Sequence, residues 1–309
     1  MSVLNDYNYF LSREELEIIK LGGLGVFAST HLLDREKLAL LANNVEKFGF
    51  GSLWFPEATS FESFSLAAYL LANSNKLIVG TGIANIYARD AVTSAQGHDG
   101  LNALFKKRFI LGLGVSHVSF VEEIRGHKFG KPVSSMNEYL EKLGNANIDL
   151  NLRMEDRNII LAALGPRMLE LAAAKSKGAI PYSVTPDYTA KAREVLGPKA
   201  WLCVEQKICL TNSLSDARFI AKKQMDRYLR WPNYVDNWIR MGFKHSDLEG
   251  EGSSRFLDAM VCWGSDKRIM NCLEQHFSAG ADHVVVQALR PDGKEYPDFD
   301  ALKAVSQTS

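Results

Sequence analysis

The sequence predicts a single α/β domain, a (β/α)8 or TIM barrel with long insertions after its fourth and seventh strands. Short continuous apolar runs alternate with stretches of helical periodicity along the 309 residues. Uninterrupted apolar runs are typical of parallel strands that helices cover on both faces. No linker divides the chain, and barrels of this kind contain about 250 residues or more. Eight strand–helix units therefore favour one barrel over a doubly wound sheet.

The predicted strands are the apolar runs Gly22–Ala28, Ser52–Phe55, Leu77–Ile83, Phe109–Val115, Asn158–Ala163, Ala179–Tyr182, Trp201–Leu210 and His283–Leu289. Between the first two strands, one helical face carries Leu38, Leu41, Val45 and Phe48, and this helix is expected to end at Gly49. The barrel domain is expected to span 21–309. Residues 1–20 are interpreted as an N-terminal arm with a short helix that begins at Ser12.

Two connections are too long for a minimal barrel. Residues 116–157 precede the fifth strand and contain a predicted helix near Ser134–Leu143. Residues 213–280 form a longer helical connection before the last strand. Loops at the carboxyl ends of barrel strands build binding sites, so both connections are expected to contribute to one.

Composition excludes several classes of function. The 36 basic side chains balance 36 acidic ones, so no basic excess favours nucleic acid. No apolar run reaches the ~20 residues that cross a bilayer, and the N-terminus lacks a signal-peptide pattern, which predicts a cytoplasmic protein. No dinucleotide, Walker or nucleophile-elbow signature is complete, and no metal site is indicated. The cysteines form no CxxC pair and are interpreted as buried thiols of a reducing compartment: Cys203, Cys209, Cys262 and Cys272.

The most informative stretch is Phe109–His117, which ends the fourth predicted strand. Gly112 and Gly114 remove side chains at its carboxyl end. Either a flat ring or a phosphate-bearing tail approaches the backbone there, or the barrel is crowded. His117 lies just beyond, where barrel enzymes place catalytic groups, although a loop histidine can equally be structural.

Three further features have both a functional and a structural interpretation. The turn Ala163–Met168 opens a helix with a proline and an arginine, which indicates either an anion site or a well-formed helix start. Glu57, at the end of the second strand, could orient a substrate, accept a proton or simply be solvated. Glu205 and Lys207 share one strand face, and if that face is the barrel lumen they should be buried and paired.

Several segments resemble the bacterial-luciferase-like oxidoreductases. They are Glu46–Glu57, which contains Gly-Phe-Gly-Ser-Leu-Trp-Phe-Pro-Glu, then Leu77–Asn85 and Leu111–His117. A subgroup usually described as dependent on the deazaflavin coenzyme F420 is indicated by four more segments: Leu161–Glu170, Pro181–Pro186, Trp231–Val235 and Ala279–Gln287. The resemblance covers roughly residues 21 to 290 in order.

The resemblance implies a TIM barrel, often a homodimer, with the cofactor at the carboxyl ends of the strands. It also implies a non-prolyl cis peptide after the third strand, at Gly82–Ile83. His117 is then the first catalytic candidate and Glu57 the second. The cofactor-binding roles carried over are those of Gly82, Ile83, Asn85, Gly114, Val115, Ser116, Leu164, Gly165, Pro166, Arg167 and Met168.

The activity that the resemblance implies is hydride transfer between the N5 or C5 position of a flavin or deazaflavin and a small organic substrate. Residues 116–133 and 230–256 would form the pocket and lid, with Tyr182, Trp231 and Tyr234 as apolar walls. Coenzyme F420 is favoured. Glu57 stands where some deazaflavin enzymes carry a histidine, so a mechanism that uses that position does not transfer. FMN stays open, because the low Arg and high Lys, Asn and Ser content is unlike that of the GC-rich actinobacteria in which the deazaflavin is common. The alternatives are an FMN-dependent monooxygenase served by a separate flavin reductase, and a non-catalytic flavin-binding barrel.

Overall fold

The computed structural model describes residues 19, 21, 23–150 and 154–306. Within these residues the strands form one sheet in which every pairing is parallel. The strands are β1 Leu24–Phe27, β2 Ser52–Phe55, β3 Ile78–Thr81, β4 Ala84–Asn85, β5 Phe109–Gly114, β6 Ile159–Leu161, β7 Gly178–Ala179, β8 Trp201–Leu210, β9 Val261–Gly264 and β10 His283–Ala288.

Eight of these strands close a barrel and confirm the predicted TIM architecture. Their order is β1, β2, β3, β5, β6, β7, β8 and β10, and β10 pairs with both β8 and β1. Seven of the eight lie within the predicted apolar runs. The eighth, β7, begins at Gly178, one residue before its predicted run. The short strand β4 pairs with β5 above β3.

The strand β9 corrects the prediction that only helices connect the seventh and last barrel strands. It pairs with Lys207–Leu210 at the end of β8. Because β7 pairs only with Trp201 and Leu202, most of that edge of β8 remains open, and β9 occupies it. An unpaired strand edge exposes backbone donors and acceptors, so a short segment that covers it is stabilising.

The helices of the described residues surround the barrel and fill the two long connections. Helix α1 buries Leu38, Leu41 and Val45 as predicted, and the Asp34 carboxylate caps its first turn by accepting a bond from the Lys37 amide. The helices are α1 Arg35–Lys47, α2 Ser63–Ala72, α3 Ala91–Leu104, α4 Pro132–Gly144, α5 Pro166–Lys175, α6 Pro186–Leu196, α7 Leu214–Asp226, α8 Pro232–Arg240, α9 His245–Leu248, α10 Ser254–Met260, α11 Asp266–Ser278 and α12 Phe299–Ser306.

The first long connection contains a π-helical turn, Phe120–Ile124, followed by α4, which covers the predicted helix near Ser134–Leu143. The predicted helix at Ser12 lies outside the described residues. Of the arm, the structure describes Ile19, which packs against the cluster that fills the barrel lumen. No helix in the described ranges is long and apolar enough to cross a membrane.

The lumen contains the predicted ionic pair. Trp54, Ile110 and Cys203 belong to the lumen cluster, and Glu205 and Lys207 continue the inward face of β8 beyond Cys203. The Lys207 ammonium lies 3.0 Å from Glu205 Oε2, and both side chains are fully buried. Burial raises the pKa of the Glu205 carboxyl and lowers the pKa of the Lys207 ammonium, while their mutual attraction opposes both shifts.

The cysteines do not all behave as predicted. Cys203 and Cys209 are free and buried, and burial raises the pKa of the Cys209 thiol to about 12. Cys262 and Cys272 instead form a disulfide, with their Cα atoms 6.4 Å apart. The expectation of four thiols is therefore wrong, because α11 folds back against β9 and brings together two cysteines that are ten residues apart.

Candidate active site

The carboxyl ends of β3 and β5 carry a backbone bulge. The chain leaves β3 at Thr81, passes through a cis peptide bond between Gly82 and Ile83, and forms β4 with Ala84 and Asn85. The cis peptide is at the predicted position. Since β4 pairs with the last two residues of β5, the bulge lies at the barrel mouth beside the start of the first long connection.

The glycines near the bulge are needed because neighbouring atoms of the protein occupy the space where their Cβ atoms would lie. A Cβ atom on Gly112 would overlap the Thr81 carbonyl oxygen, and one on Gly114 would overlap the Ile83 side chain. A Cβ atom on Gly82 would lie 2.7 Å from the Phe27 ring. Of the two interpretations of this stretch, crowding is the one that the geometry supports. The glycines act on any ligand indirectly, by permitting the bulge.

Glu57 is buried beneath the bulge and is not a solvated rim acid. Its Oε2 accepts a hydrogen bond of 2.8 Å from the backbone N–H of Asn85, and its Oε1 pairs with the Arg89 guanidinium. Arg89 also lies 3.0 Å from Glu62. The Asn85 side chain in turn accepts a bond from the Tyr87 amide. Glu57 therefore fastens the bulge to the end of β2, and the sequence contained no signal for its partner Arg89.

His117 lies in an aromatic cluster at the barrel mouth, which we define as His117, Phe120, Tyr182, Tyr228, Trp231 and Tyr234. The His117 and Trp231 rings stack with centroids 3.9 Å apart. The ring centroid of Tyr234 lies 6.0 Å from that of His117, 5.0 Å from that of Tyr228 and 6.3 Å from that of Tyr182. The structure thus brings together His117 and the three predicted wall residues. Tyr228 was missed, although it stands three residues before Trp231 in the same connection.

The environment of His117 determines its charge. Burial lowers the pKa of His117 to about 4, and a hydrogen bond with the Asn233 side chain opposes part of this shift. With this pKa, about one molecule in a thousand carries imidazolium at pH 7. His117 is therefore neutral near physiological pH, and its imidazole can accept a proton or a hydrogen bond.

Tyr182 connects the aromatic cluster with the lumen. Its hydroxyl donates to Gln287 Oε1 at 2.8 Å and lies 2.8 Å from the Tyr228 hydroxyl, which must therefore donate to Tyr182. The Lys207 ammonium lies 3.8 Å from the centre of the Tyr182 ring. Burial raises the pKa of Tyr228 to about 12, so both phenols remain protonated at neutral pH.

The turn after β6 is open and cationic. Helix α5 begins at Pro166 without a side-chain cap, and Arg167 is exposed. A Cβ atom on Gly165 would meet nothing within 4 Å. Met168 is buried in the core, and Leu164 packs against that core. The arrangement leaves Gly165 and Arg167 available to an anion at the helix N-terminus.

Val115 and Ser116 connect β5 to His117. Val115 packs partly against the core, whereas Ser116 has a φ of 61°. A positive φ is uncommon for a residue other than glycine, and here it turns the chain away from the strand toward the aromatic cluster. The two residues therefore set the position of His117, as their place beyond the strand suggested.

Comparison with known proteins identifies the family of the chain. Residues 24–196 match the family described as luciferase-like monooxygenase, a match that covers more than half of the chain. The chain belongs to this family. A curated relative, the 5,10-methylenetetrahydromethanopterin reductase of Methanolobus tindarius, is 30% identical over 163 residues. That match covers 47% of this chain and 49% of the relative, so the matched part spans about half the length of the curated relative.

Solved structures of other proteins share the fold over almost all of the chain. The coenzyme F420-dependent tetrahydromethanopterin reductase of Methanopyrus kandleri superposes with a TM-score of 0.70 at 16% identity, covering 93% of this chain and 98% of that one. The oxygenating constituent of the 3,6-diketocamphane monooxygenase of Pseudomonas putida, solved with FMN, gives 0.69 at 13% identity, covering 92% and 96%. At such identities the likeness concerns the fold.

Proposed function

We propose that this chain is an oxidoreductase that transfers a hydride between bound coenzyme F420 and a small organic substrate. The observation that carries the proposal is the Gly82–Ile83 bulge, fixed by Glu57 next to the aromatic cluster that contains His117. Phe27 lies between the two features, because it touches the space above Gly82 and its ring centroid is 5.4 Å from that of Tyr182.

The residues present fit a flavin or deazaflavin with a phosphate-bearing tail. The half-buried Ile83 side chain offers an apolar support to a flat ring, and the turn with Gly165 and Arg167 offers backbone amides and a cation to a phosphate. When bound, such a cofactor supplies the hydride donor or acceptor that the side chains of this site lack.

The protein's own contribution is positioning, exclusion of water and proton transfer. The rings of the aromatic cluster enclose His117, and Trp231 covers one face of its imidazole. Because His117 is neutral, we assign it the role of a base that accepts the proton of an alcohol as the substrate is oxidised. In the reverse direction the same nitrogen returns that proton to the developing alkoxide.

Coenzyme F420 is favoured over FMN by the curated relative. That protein is a methylenetetrahydromethanopterin reductase, and a solved reductase of similar name is described as F420-dependent. The second candidate is an FMN-dependent monooxygenase that takes reduced flavin from a separate reductase. The description of the family and the FMN-bound structural relative favour it. In either case we propose a homodimer that acts on a small molecule.

The proposal is tested by anaerobic single-turnover kinetics. The protein is mixed with reduced F420 or reduced FMN and a panel of ketones, and reoxidation of the cofactor is followed with and without substrate. Substrate-dependent reoxidation of F420 without oxygen supports the proposal. In a parallel experiment with reduced FMN in air, an oxygenated product that forms only with the protein supports the monooxygenase. If neither substrate-dependent reoxidation of the cofactor nor an oxygenated product is seen, only the non-catalytic barrel remains.

A further inference from the structure

A cleft opens at the barrel mouth beyond the carboxyl ends of β1 and β10, next to α7, on a side where the sequence indicated no site. Its inner part has a volume of about 80 Å³ and is walled by Phe27, Tyr228 and Gln287. Its outer part is open to the surface, has a volume of about 620 Å³ and shares Lys223 and Lys294 with the inner part. The outer part alone lies within the range of volumes that is typical of ligand sites, about 300–1,000 Å³.

The inner end of the cleft is continuous with the candidate active site. Gln287 accepts the hydrogen bond from the Tyr182 hydroxyl, and Tyr228 lies 2.8 Å from that same hydroxyl. The ring of Phe27 lies against Tyr182 on one side and against the space above Gly82 on the other. The Phe27 side chain thus separates a molecule in the inner cleft from the bulge.

The barrel order separates the cleft from the cationic turn after β6. From β1 to β6 there are four steps through β2, β3 and β5, and four steps in the other direction through β10, β8 and β7. The two sites therefore lie on opposite sides of the barrel mouth. A cofactor whose tail is bound at Arg167 and whose ring lies on the bulge leaves the cleft to a second molecule.

The cleft carries a positive excess in a chain whose formal charges balance. Its two parts are lined by four cationic side chains, Lys37, Lys223, Arg227 and Lys294, and by two acidic ones, Asp292 and Glu295. Lys37 pairs with Asp34 at 2.8 Å, and Lys294 lies 3.5 Å from Asp292, which also pairs with Arg290. Glu295 is bound across the cleft by His31, at 3.0 Å. Lys223 donates to the Gly293 carbonyl oxygen. Arg227, on the inner part, makes no ion pair with any residue in the described ranges and is available to a ligand.

We propose that this cleft binds the substrate and that the substrate is an organic anion, a carbonyl compound or alcohol that also bears a carboxylate. The carboxylate would pair with Arg227 and Lys294, and the rest of the molecule would pass Tyr228 toward the bulge. The proposal rests on the function proposed above, because it assigns the second reactant of that hydride transfer. A planar guanidinium suits a carboxylate, with which it forms paired hydrogen bonds.

The test compares a keto acid with its neutral amide. Binding of levulinate and levulinamide, and of longer keto acids and their amides, is measured by calorimetry on the protein and on Arg227→Gln and Lys294→Gln variants. Arg35→Gln is the matched control, because Arg35 is two residues from Lys37, is 80% exposed and lies 3.8 Å from Glu36 outside the cleft. We expect the acids to bind about tenfold more tightly than the amides, a preference lost in the two cleft variants and kept in the control.

Equal affinity for acids and amides, no saturable binding of any acid, or an equal loss in Arg35→Gln would overturn the proposal. The same variants are titrated with coenzyme F420 and FMN. Unchanged cofactor affinity assigns the cleft to the substrate, whereas a loss matching that of Arg167→Gln assigns it to the cofactor tail and overturns the inference. If the unmodified protein binds neither cofactor, the proposed function fails, while the preference for acids is still measured independently.

Discussion

The Glu57 carboxylate accepts a 2.8 Å hydrogen bond from the backbone amide of Asn85. This bond joins the end of β2 to the bulge that follows β3, and Arg89 neutralises the buried carboxylate from the far side of the same loop. The position of Ile83 at the barrel mouth therefore depends on an ion pair whose side chains are 3% and 8% exposed.

Replacing Glu57 with Gln should destabilise the protein and loosen the bulge. The change leaves Arg89 buried with Glu62, which is half exposed, as its remaining acidic partner. Removing one member of a buried pair costs about 3–5 kcal/mol. Thermal unfolding would show a clearly lower Tm, with Glu36→Gln at an 87% exposed position as the control. A Glu57→Gln variant that unfolds like the unmodified protein but has lost its activity would instead identify Glu57 as a proton-transfer group.

Replacing His117 with Asn should lower the rate of hydride transfer by about 100-fold or more, the usual contribution of a general base, while cofactor affinity is kept. Asparagine preserves a hydrogen-bonding group but does not titrate. The control is His245→Asn, which removes an exposed histidine of α9. Equal rates in His117→Asn and the unmodified protein would exclude a catalytic role for His117.

The pH profile separates a base from an acid at His117. Because the pKa is lowered to about 4, the neutral form predominates at higher pH, and the rate of alcohol oxidation should show no titration of His117 above pH 6. A group that acted only as imidazolium would lose about tenfold in rate per pH unit over that range. At lower pH the rate profile also contains an effect of folding stability. The pKa values of His117 and His276 are about 4 in the folded protein and 6.5 in the unfolded chain, so the free energy of unfolding falls as pH drops below about 6.5.

Replacing Gly114 with Ala should displace Ile83 and weaken cofactor binding by about tenfold. The added Cβ atom would overlap the end of the Ile83 side chain and lie 3.3 Å from its Cβ. Overpacking of this kind also costs about 1–3 kcal/mol of stability. Gly100→Ala is the control, because a Cβ atom there meets nothing within 4 Å in α3 and should add about 1 kcal/mol of helix stability. Unchanged affinity in Gly114→Ala would contradict a role for Ile83 in supporting the cofactor.

Replacing Arg167 with Gln should weaken both F420 and FMN, by about tenfold, without changing the Tm. Both cofactors carry a phosphate, and the exposed guanidinium lies at the start of α5. Lys175→Gln removes a cation from the last turn of the same helix and should leave both affinities unchanged. Weakening of the same size in the two variants would show a general effect of charge rather than a phosphate site.

Continuous apolar runs were sufficient to predict the barrel, because parallel strands buried on both faces leave this pattern in the sequence. The strand β9 escaped prediction because it is four residues long and directly follows α10, so that its apolar residues extend a helical pattern. Its existence depends on the free edge of β8, which is a property of the folded barrel. The disulfide between Cys262 and Cys272 was missed for the same reason, since it requires α11 to return onto β9.

The candidate site was predictable in its positions but not in its contacts. His117, Trp231 and Tyr234 could be expected at the barrel mouth because they follow strands or lie in long connections. The burial of Glu57 against Arg89 could not be predicted, because the two residues lie in different loops and are 32 positions apart in the sequence. The cleft beyond the ends of β1 and β10 had no sequence signal at all, since its cations come from three separate segments.

A side-by-side titration of the protein with coenzyme F420 and FMN, followed by fluorescence, tests most directly whether the site binds a deazaflavin. We expect saturable binding of F420, tighter than that of FMN and weakened in Arg167→Gln. Tight binding of FMN alone would contradict the choice of cofactor and favour the monooxygenase. Binding of neither would contradict the assignment of the Gly82–Ile83 bulge as a cofactor support, and with it the proposed hydride transfer.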